Sequence, residues 1–188
     1  MRLYAVTDRM WLDGRSLEFC VEEAVKAGAT FVQLREKELS FDDFLHQAIE
    51  IKRVTDKYNI PFVINDDIEV ALACNADGVH VGQGDMTARE ARVRMGEGKI
   101  LGVSVQTEEQ AIKAEREGAD YIGVGAVFST STKHDADEVS FEILKAICKA
   151  VSIPVVAIGG ISIENIMQLS GSGVDGVAVI SAIFAQKD

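Results

Sequence analysis

Eight short, nearly continuous apolar runs recur along the chain, and longer amphipathic segments separate them. Runs of this kind are typical of strands that are buried on both faces, as they are in parallel sheets. The runs are Leu3–Val6, Phe31–Leu34, Phe62–Ile64, Gly78–Val81, Ile100–Val103, Tyr121–Val124, Val155–Ile158 and Gly176–Ile180. The pattern therefore predicts eight parallel strands.

The segments between the runs carry apolar residues at helical spacing. Leu17, Val21, Ala24 and Val25 share one helical face, and a longer stripe extends from Phe41 to Val54. Gly-Ala or Gly-Val pairs recur just before the next run, where a helix is expected to stop. Alternating strands and helices build parallel βαβ units with right-handed crossovers.

The number of strands decides between two α/β folds. A doubly wound sheet usually has five or six strands and a glycine-rich loop after the first, where this chain has Thr7-Asp8-Arg9-Met10. Eight strands match the closed (β/α)8 TIM barrel. Because no linker interrupts the pattern, we expect residues 1–188 to form one barrel domain.

Length makes the expected barrel a compact one. TIM barrels typically need about 250 residues, and this chain has 188, with only Phe184–Asp188 after Ile183. We therefore expect a truncated eighth helix. We also expect Phe184 and the exposed side of the first helix, near Leu17 and Val21, to need cover from a partner subunit, as in a homo-oligomer, or from missing residues.

Charge and cysteine content narrow the function classes. The chain has 19 Lys and Arg against 30 Asp and Glu, a net charge of −11, which argues against a nucleic-acid or anionic-membrane binder. A small phosphorylated ligand needs only a few local cations and remains possible. The three widely spaced cysteines fit reduced thiols. Without a signal peptide or a membrane-length apolar run, we expect a cytoplasmic protein.

A basic segment follows the second predicted strand, and barrel enzymes carry their sites at such carboxyl ends. Alternation places Gln33, Arg35 and Lys37 on one side of the chain, with Leu34 and Glu36 on the other. Three donors on one side, two of them cationic, suit a diphosphate. A solvated charged loop is the alternative.

Acidic residues follow the third and fourth predicted strands. Carboxylates at the ends of adjacent strands can share Mg²⁺, which prefers oxygen ligands. We assign Asp66 to the metal and Asp67 mainly to a helix N-cap. Asp85 is either a second metal ligand or a cap, and His80 is either a structural or a catalytic histidine.

A second region for an anion is expected near the last two strands. Loops after strands seven and eight often bind phosphate in barrels, and here they carry Gly159-Gly160-Ile161 and Ile180-Ser181. The polar loop Phe128–Val139 contains Thr130, Thr132 and Lys133, which could close over a phosphate. The alternatives are tight turns only for the glycines and a polar loop tip for the threonines and lysine. Two anion regions in one mouth suggest that two phosphorylated molecules are joined through charge stabilisation of a leaving group.

Taken together, these segments resemble the thiamine phosphate synthase family, in the family's order and over essentially the whole chain. The similar segments are Tyr4–Asp8, Gln33–Lys37, Asn65–Asp67, Gly78–Gln83 with Asp85, Gly102–Ser104, Gly118–Tyr121, Thr130–Lys133, Ile158–Ile161 and Val179–Ile183.

The resemblance implies a transferase of thiamine biosynthesis. A hydroxymethylpyrimidine diphosphate loses pyrophosphate with Mg²⁺ as cofactor, and a hydroxyethylthiazole phosphate traps the pyrimidine carbocation to give thiamine phosphate. It further implies Lys133, Arg35 and Ser104 as catalytic residues, of which Ser104 contacts the pyrimidine. The remaining implied ligands are Gln33, Arg35, Lys37, Asn65 and Lys133 for the diphosphate, Asp66 and Asp85 for Mg²⁺, and Thr130, Thr132, Gly160, Ile180 and Ser181 for the thiazole phosphate.

Two other functions remain open from the sequence. The related thiazole tautomerases are isomerases that typically have histidine where Gln106 stands, and they lack the complete diphosphate and metal set. A non-catalytic phosphate-binding or regulatory barrel is the second alternative.

Overall fold

The computed structural model describes residues 2–84, 86–129 and 138–186, whose eight strands form one closed parallel barrel in sequential order, β1 pairing with β8. The strands are β1 Leu3–Val6, β2 Phe31–Leu34, β3 Phe62–Asn65, β4 Gly78–Val81, β5 Ile100–Val105, β6 Tyr121–Val124, β7 Val155–Ile158 and β8 Gly176–Val179. All eight predicted runs are strands. The run boundaries differ by at most two residues, and the TIM-barrel prediction is confirmed.

Helices lie between most successive strands. They are α1 Leu17–Lys26, α2 Phe41–Lys57, α3 Ile68–Ala73, α4 Ala88–Met95, α5 Glu108–Arg116, α6 Phe141–Ala150 and α7 Ser181–Phe184. In the described residues, β7 and β8 are joined through a 3-10 helix, Ile166–Leu169, and no α-helix. The last helix is short, as predicted.

The loops that lead from strands into helices end in capping side chains. Ser16, Ser40 and Thr107 each accept a hydrogen bond from a backbone N–H in the first turn of α1, α2 and α5. Asp67 does the same for α3 by accepting from the Val70 N–H, which confirms its predicted N-cap role. These caps satisfy donors that have no partner within the helix, and they fix where each loop at the carboxyl ends of the strands stops.

Apolar side chains form two separate layers. Alternate strand residues point outward and pack against the helices in the larger cluster, while the barrel interior holds a smaller cluster. Tyr4, Phe31 and Tyr121 are the aromatic residues of this interior, with ring centroids 4.6 to 6.0 Å apart. The interior is thus closed below the mouth.

A repeated side-chain contact holds the amino ends of the strands. Asp77, Asp120 and Asp175 each immediately precede an even-numbered strand, and each carboxylate accepts the backbone N–H near the start of the preceding strand at 2.7 to 2.8 Å. Their own N–H groups donate back to the carbonyl of the same residue. Thr30 makes the equivalent pair of contacts to Leu3. These contacts therefore join neighbouring strands at the end of the barrel opposite to its mouth.

The expectation that Phe184, Leu17 and Val21 need outside cover was wrong. Phe184 is 3% exposed, Leu17 2% and Val21 0%. Arg15 reaches the end of the chain and donates to the Phe184 carbonyl. The chain itself covers these three residues, which therefore give no reason to expect a partner subunit, whereas Phe19 of α1 is 51% exposed. Within the described ranges, no helix is long and apolar enough to cross a membrane.

Candidate active site

A cavity of about 260 Å³ opens at the carboxyl ends of the strands, where barrel enzymes place their chemistry. Polar side chains from β2, β3, β4 and β5 line it, and glycines and apolar residues from β6, β7 and β8 complete its wall. Five residues that the sequence predicted for the site lie in this lining: Gln33, Arg35, Asn65, Ser104 and Ile180.

Arg35 is held at the mouth by its backbone. Its N–H donates to the hydroxyl of Thr7 at 3.0 Å, and Thr7 is fully buried at the end of β1. Its guanidinium forms no ion pair within the described residues, so its charge is available to an anion. Glu36 lies outside the cavity lining, in the same neighbouring depression as Lys37, so the predicted separation of these two residues is not observed. Burial raises the pKa of Glu36, and its ion pair with Arg9 at 2.7 Å opposes that shift.

Lys37 and Asp66 lie beside the central cavity and outside its lining. Both line a neighbouring surface depression, which shares Asn65 with the cavity. Asp66 has a left-handed backbone, with φ 64°, and its carboxylate accepts a hydrogen bond from the Asn65 amide. The predicted diphosphate and metal residues therefore lie in two adjoining compartments.

Four hydrogen bonds cross the barrel interior beneath the cavity. The Gln33 amide nitrogen donates to the Tyr4 hydroxyl at 2.6 Å, and the Tyr4 and Tyr121 hydroxyls are 2.8 Å apart. The Tyr121 hydroxyl lies 2.9 Å from His80 Nδ1, and His80 Nε2 lies 2.9 Å from Ser104 Oγ. We call these five residues the polar chain. His80 itself lines the cavity, and it connects Tyr121, which lies outside the cavity lining, to Ser104, which belongs to it.

Tyr4 and Tyr121 are the members of the polar chain that the sequence analysis did not select. Both lie in predicted strand runs, where the sequence predicts that an aromatic residue belongs to the hydrophobic core. A buried tyrosine hydroxyl usually needs a hydrogen-bond partner, and that requirement was the available signal. Burial raises the pKa of both phenols well above their usual value, so both keep their protons.

Glycine makes room for the polar chain. His80, Gly102 and Tyr121 are successive register partners on β4, β5 and β6. A Cβ on Gly102 would lie 2.1 Å from Tyr121 Cζ and 2.5 Å from His80 Nδ1. The two rings can therefore meet only because the residue between them has no side chain.

A third compartment lies between the ends of β7 and β8. It is a recess of about 30 Å³ whose lining includes Gly159, Gly160, Ile180 and Ser181. Asn165 steadies it by donating from its amide to the Gly160 carbonyl at 2.8 Å. The residues that follow β7 and β8 in the predicted second anion region are thus brought together here.

Four predicted site residues lie outside the described residues: Asp85, Thr130, Thr132 and Lys133. Among the residues that are described, no three His, Cys, Asp or Glu side chains gather in a group that could hold a metal ion. That finding leaves the predicted pair of Asp66 and Asp85 untested.

Two glutamines complete the mouth. Gln83 donates from its amide to the Ser104 carbonyl at 2.7 Å, which ties the loop after β4 to β5. Gln106 lines the cavity, and its backbone N–H donates to the Gln110 side chain at 2.7 Å. The position at which tautomerases typically carry histidine thus faces the cavity in this chain as glutamine.

Comparison with known proteins shows which family the chain is similar to. The chain is 56% identical over 186 residues to a thiamine-phosphate synthase of Ruminiclostridium cellulolyticum, covering 99% of this chain and 89% of the relative. It is 52% identical to that of Methanobrevibacter smithii, covering 100% and 90%. A solved structure of the thiamine phosphate pyrophosphorylase of Pyrococcus furiosus superposes with a TM-score of 0.91 at 39% identity, covering all of this chain and 89% of that one.

The model of one protein family, described as thiamine monophosphate synthase, matches residues 3–183. With the match and the relatives both spanning nearly the whole barrel, the chain belongs to the thiamine monophosphate synthase family.

Proposed function

We propose that this chain transfers the hydroxymethylpyrimidine group from its diphosphate to a hydroxyethylthiazole phosphate, with Mg²⁺, forming thiamine phosphate and releasing pyrophosphate. Thiamine-phosphate synthase activity, a transfer reaction, is the function of the full-length relatives named above. The observation that carries the proposal is the mouth itself, where Arg35 and Ser104 line one cavity and Lys37 and Asp66 adjoin it.

The diphosphate is proposed to lie across the boundary between the cavity and the neighbouring depression. Arg35 would bind it from the cavity side and Lys37 from the depression, while the amide of Asn65 reaches both compartments. Gln33 would contribute less to diphosphate binding than Arg35 and Lys37, because its amide nitrogen already donates to Tyr4 and only 5% of the residue is exposed. Lys133 would add a further cation.

A divalent cation fits beside Asp66. An exposed carboxylate at the edge of the diphosphate compartment is the hard oxygen ligand that Mg²⁺ prefers, and such ions are commonly shared between one or two carboxylates and substrate phosphates. Asp66 and Asp85 would hold it. When bound, Mg²⁺ would offset the negative charge that grows on the leaving diphosphate.

The chain's own residues would assist the breaking of a carbon–oxygen bond. Both electrons of the bond between the pyrimidine methylene and the diphosphate leave with the diphosphate. Arg35 and Lys37 would stabilise that charge from the two compartments that adjoin the proposed diphosphate position. Ser104 would orient the pyrimidine, and the thiazole nitrogen would then form the new carbon–nitrogen bond with its lone pair.

The phosphate group of the thiazole substrate is proposed to lie at the recess between the ends of β7 and β8. Gly160 and Ile180 would offer backbone groups and Ser181 its hydroxyl. Thr130 and Thr132 would bind the same phosphate from the loop after β6. Ile180 lines both the recess and the central cavity, which would keep the two substrates close enough to react.

A pyrophosphate-release assay tests the proposal. The protein is incubated with both substrates and Mg²⁺, then with each substrate alone. We expect release that requires both substrates and the metal. No release with both substrates would overturn the proposal. A changed thiazole phosphate tautomer without release would instead indicate the isomerase, and binding without turnover a regulatory barrel.

A further inference from the structure

The hydrogen bonds of the polar chain share one direction. The Gln33 amide nitrogen can only donate, so the Tyr4 oxygen accepts from it. The Tyr4 proton is then directed to its other neighbour, the Tyr121 oxygen, at 2.8 Å. Tyr121 is fully buried, and Tyr4, which borders the cavity, is only 2% exposed, so water has little access to either phenol. Because Tyr4 accepts from Gln33, Tyr4 is therefore the donor and Tyr121 the acceptor in the hydrogen bond between the two phenols.

The same argument continues through the imidazole. Because the Tyr121 oxygen accepts from Tyr4, its own proton is given to His80 Nδ1 at 2.9 Å. A neutral imidazole that accepts at Nδ1 carries its proton on Nε2. That nitrogen lies 2.9 Å from Ser104 Oγ and donates to it. Ser104 Oγ then accepts a hydrogen bond from His80 Nε2. Its own hydroxyl proton can therefore be donated to a ligand in the cavity that Ser104 lines.

We propose that Tyr121 is a positioning residue: it fixes the hydrogen-bond direction through His80, so that Ser104 offers a proton to the bound heterocycle. The inference rests on the proposed function, which supplies a pyrimidine as that heterocycle. A ring nitrogen is an acceptor without a proton and matches Ser104 in this state. With the opposite direction, the Ser104 proton would go to His80 Nε2, and Ser104 could only accept from the ligand.

The packing around the polar chain supports a fixed direction. Gly102 admits the two rings into contact, and Gly123 lies under the imidazole, where an added Cβ would be 3.2 Å from His80 Cε1. The ring centroids of His80 and Tyr121 are 5.4 Å apart. Close packing on these sides leaves the imidazole little freedom to turn away from either hydrogen-bond partner.

The first test reads the tautomer directly. In ¹⁵N-labelled protein, the ring nitrogens of His80 are assigned by their loss in His80→Gln; the other histidines are His46 and His134. We expect a neutral ring with the proton on Nε2. A proton on Nδ1, or on both nitrogens, would overturn the proposal. Because this test needs no substrate, it is independent of whether the proposed reaction occurs.

The second test separates the heterocycle from the diphosphate. Dissociation constants are measured for hydroxymethylpyrimidine diphosphate and for inorganic pyrophosphate, both with Mg²⁺. In Tyr121→Phe, we expect the first to rise about fivefold, the usual effect of one neutral hydrogen bond, and the second to stay unchanged. Equal weakening of both ligands, or of neither, would overturn the proposal.

Controls distinguish positioning from loss of packing. Tyr58→Phe removes a phenol hydroxyl that bonds to Glu22 at the surface and should change neither constant. Ser104→Ala should weaken the pyrimidine ligand as Tyr121→Phe does, and the double variant should lose no more than Ser104→Ala alone. Additive losses would contradict action through Ser104.

If Tyr121→Phe does not fold, the tautomer measurement on the unsubstituted protein decides the proposal. If the unsubstituted protein fails to bind the pyrimidine diphosphate, the proposed function fails and the tautomer still decides the direction.

Discussion

Gly102 and Tyr121 are register partners on β5 and β6, and the phenol ring of Tyr121 occupies the space where a side chain of Gly102 would lie. A Cβ at Gly102 would come within 2.3 Å of the Tyr121 hydroxyl. The two strands are thus matched in detail, an absent side chain on one strand facing a large polar one on the next.

Gly102→Ala is expected to destabilise the barrel by about 1–3 kcal/mol, the usual cost of overpacking a filled core. The measurement is the free energy of unfolding in denaturant. Gly98→Ala is the matched control, because nothing lies within 4 Å of an added Cβ there, and it should change stability little. Equal stability of the two variants would contradict the packing described for the barrel interior.

Arg35→Ala is expected to weaken pyrophosphate binding by a factor of about 10 to 100, because a charged hydrogen bond contributes about 1.5–3 kcal/mol. Titration calorimetry with pyrophosphate and Mg²⁺ measures it. Arg53→Ala removes an exposed arginine of α2 that pairs with Glu50 and should leave the affinity unchanged. The placement of the anion at the mouth would be wrong if both variants bound equally well.

Asp66→Asn is expected to lower the rate of pyrophosphate release at least about 100-fold, because a metal ligand is replaced by a neutral amide. The neighbouring Asp67→Asn is the control, since asparagine caps a helix about as well as aspartate and should leave most of the rate. A Mg²⁺ titration of the release rate completes the measurement. Comparable rates for the two variants would remove Asp66 from the metal site.

Glu115→Gln is expected to reduce the loss of stability on acidification. The Glu115 carboxylate accepts from the Ser152 hydroxyl and N–H and from the Ile153 N–H, and these bonds lower its pKa. A lowered folded-state pKa adds stability that is present above the unfolded-state pKa and disappears as pH falls through the folded-state value.

The difference in unfolding free energy between the protein and Glu115→Gln should therefore be present at neutral pH, at less than about 1 kcal/mol for an exposed group. It should shrink towards pH 3. Glu117→Gln, for which no comparable carboxylate contact is described, is the control. A difference that did not change with pH would show that the contacts stabilise through geometry alone.

The strands could be predicted because each run is bounded on both sides by a polar residue, glycine or proline, as Phe62–Ile64 is by Pro61 and Asn65. The same runs concealed which residues face inward. When both faces of a strand are buried, Tyr4 and Ala5 look equally apolar along the chain. Contact between Tyr4 and Tyr121 depends on the closure of the barrel and on the register between strands, which no local pattern contains.

The site was predictable to the extent that it follows strand ends. Arg35, Asn65 and Ser104 line the cavity because carboxyl ends of parallel strands converge in a barrel. The grouping of Lys37 with Gln33 was less accurate. Alternation holds only within a strand, and β2 ends at Leu34, so Lys37 lies in the neighbouring depression.

The aspartate and threonine contacts at the amino ends of the strands bear on how such a barrel can evolve. They hold strand starts in place at one end, whereas the groups proposed to face the substrate lie at the carboxyl ends of the strands and in the loops that follow. A substitution that alters substrate preference therefore need not touch the contacts that maintain the closed sheet. Substitutions that change specificity can therefore accumulate at the mouth while the contacts at the amino ends of the strands are selected separately for stability.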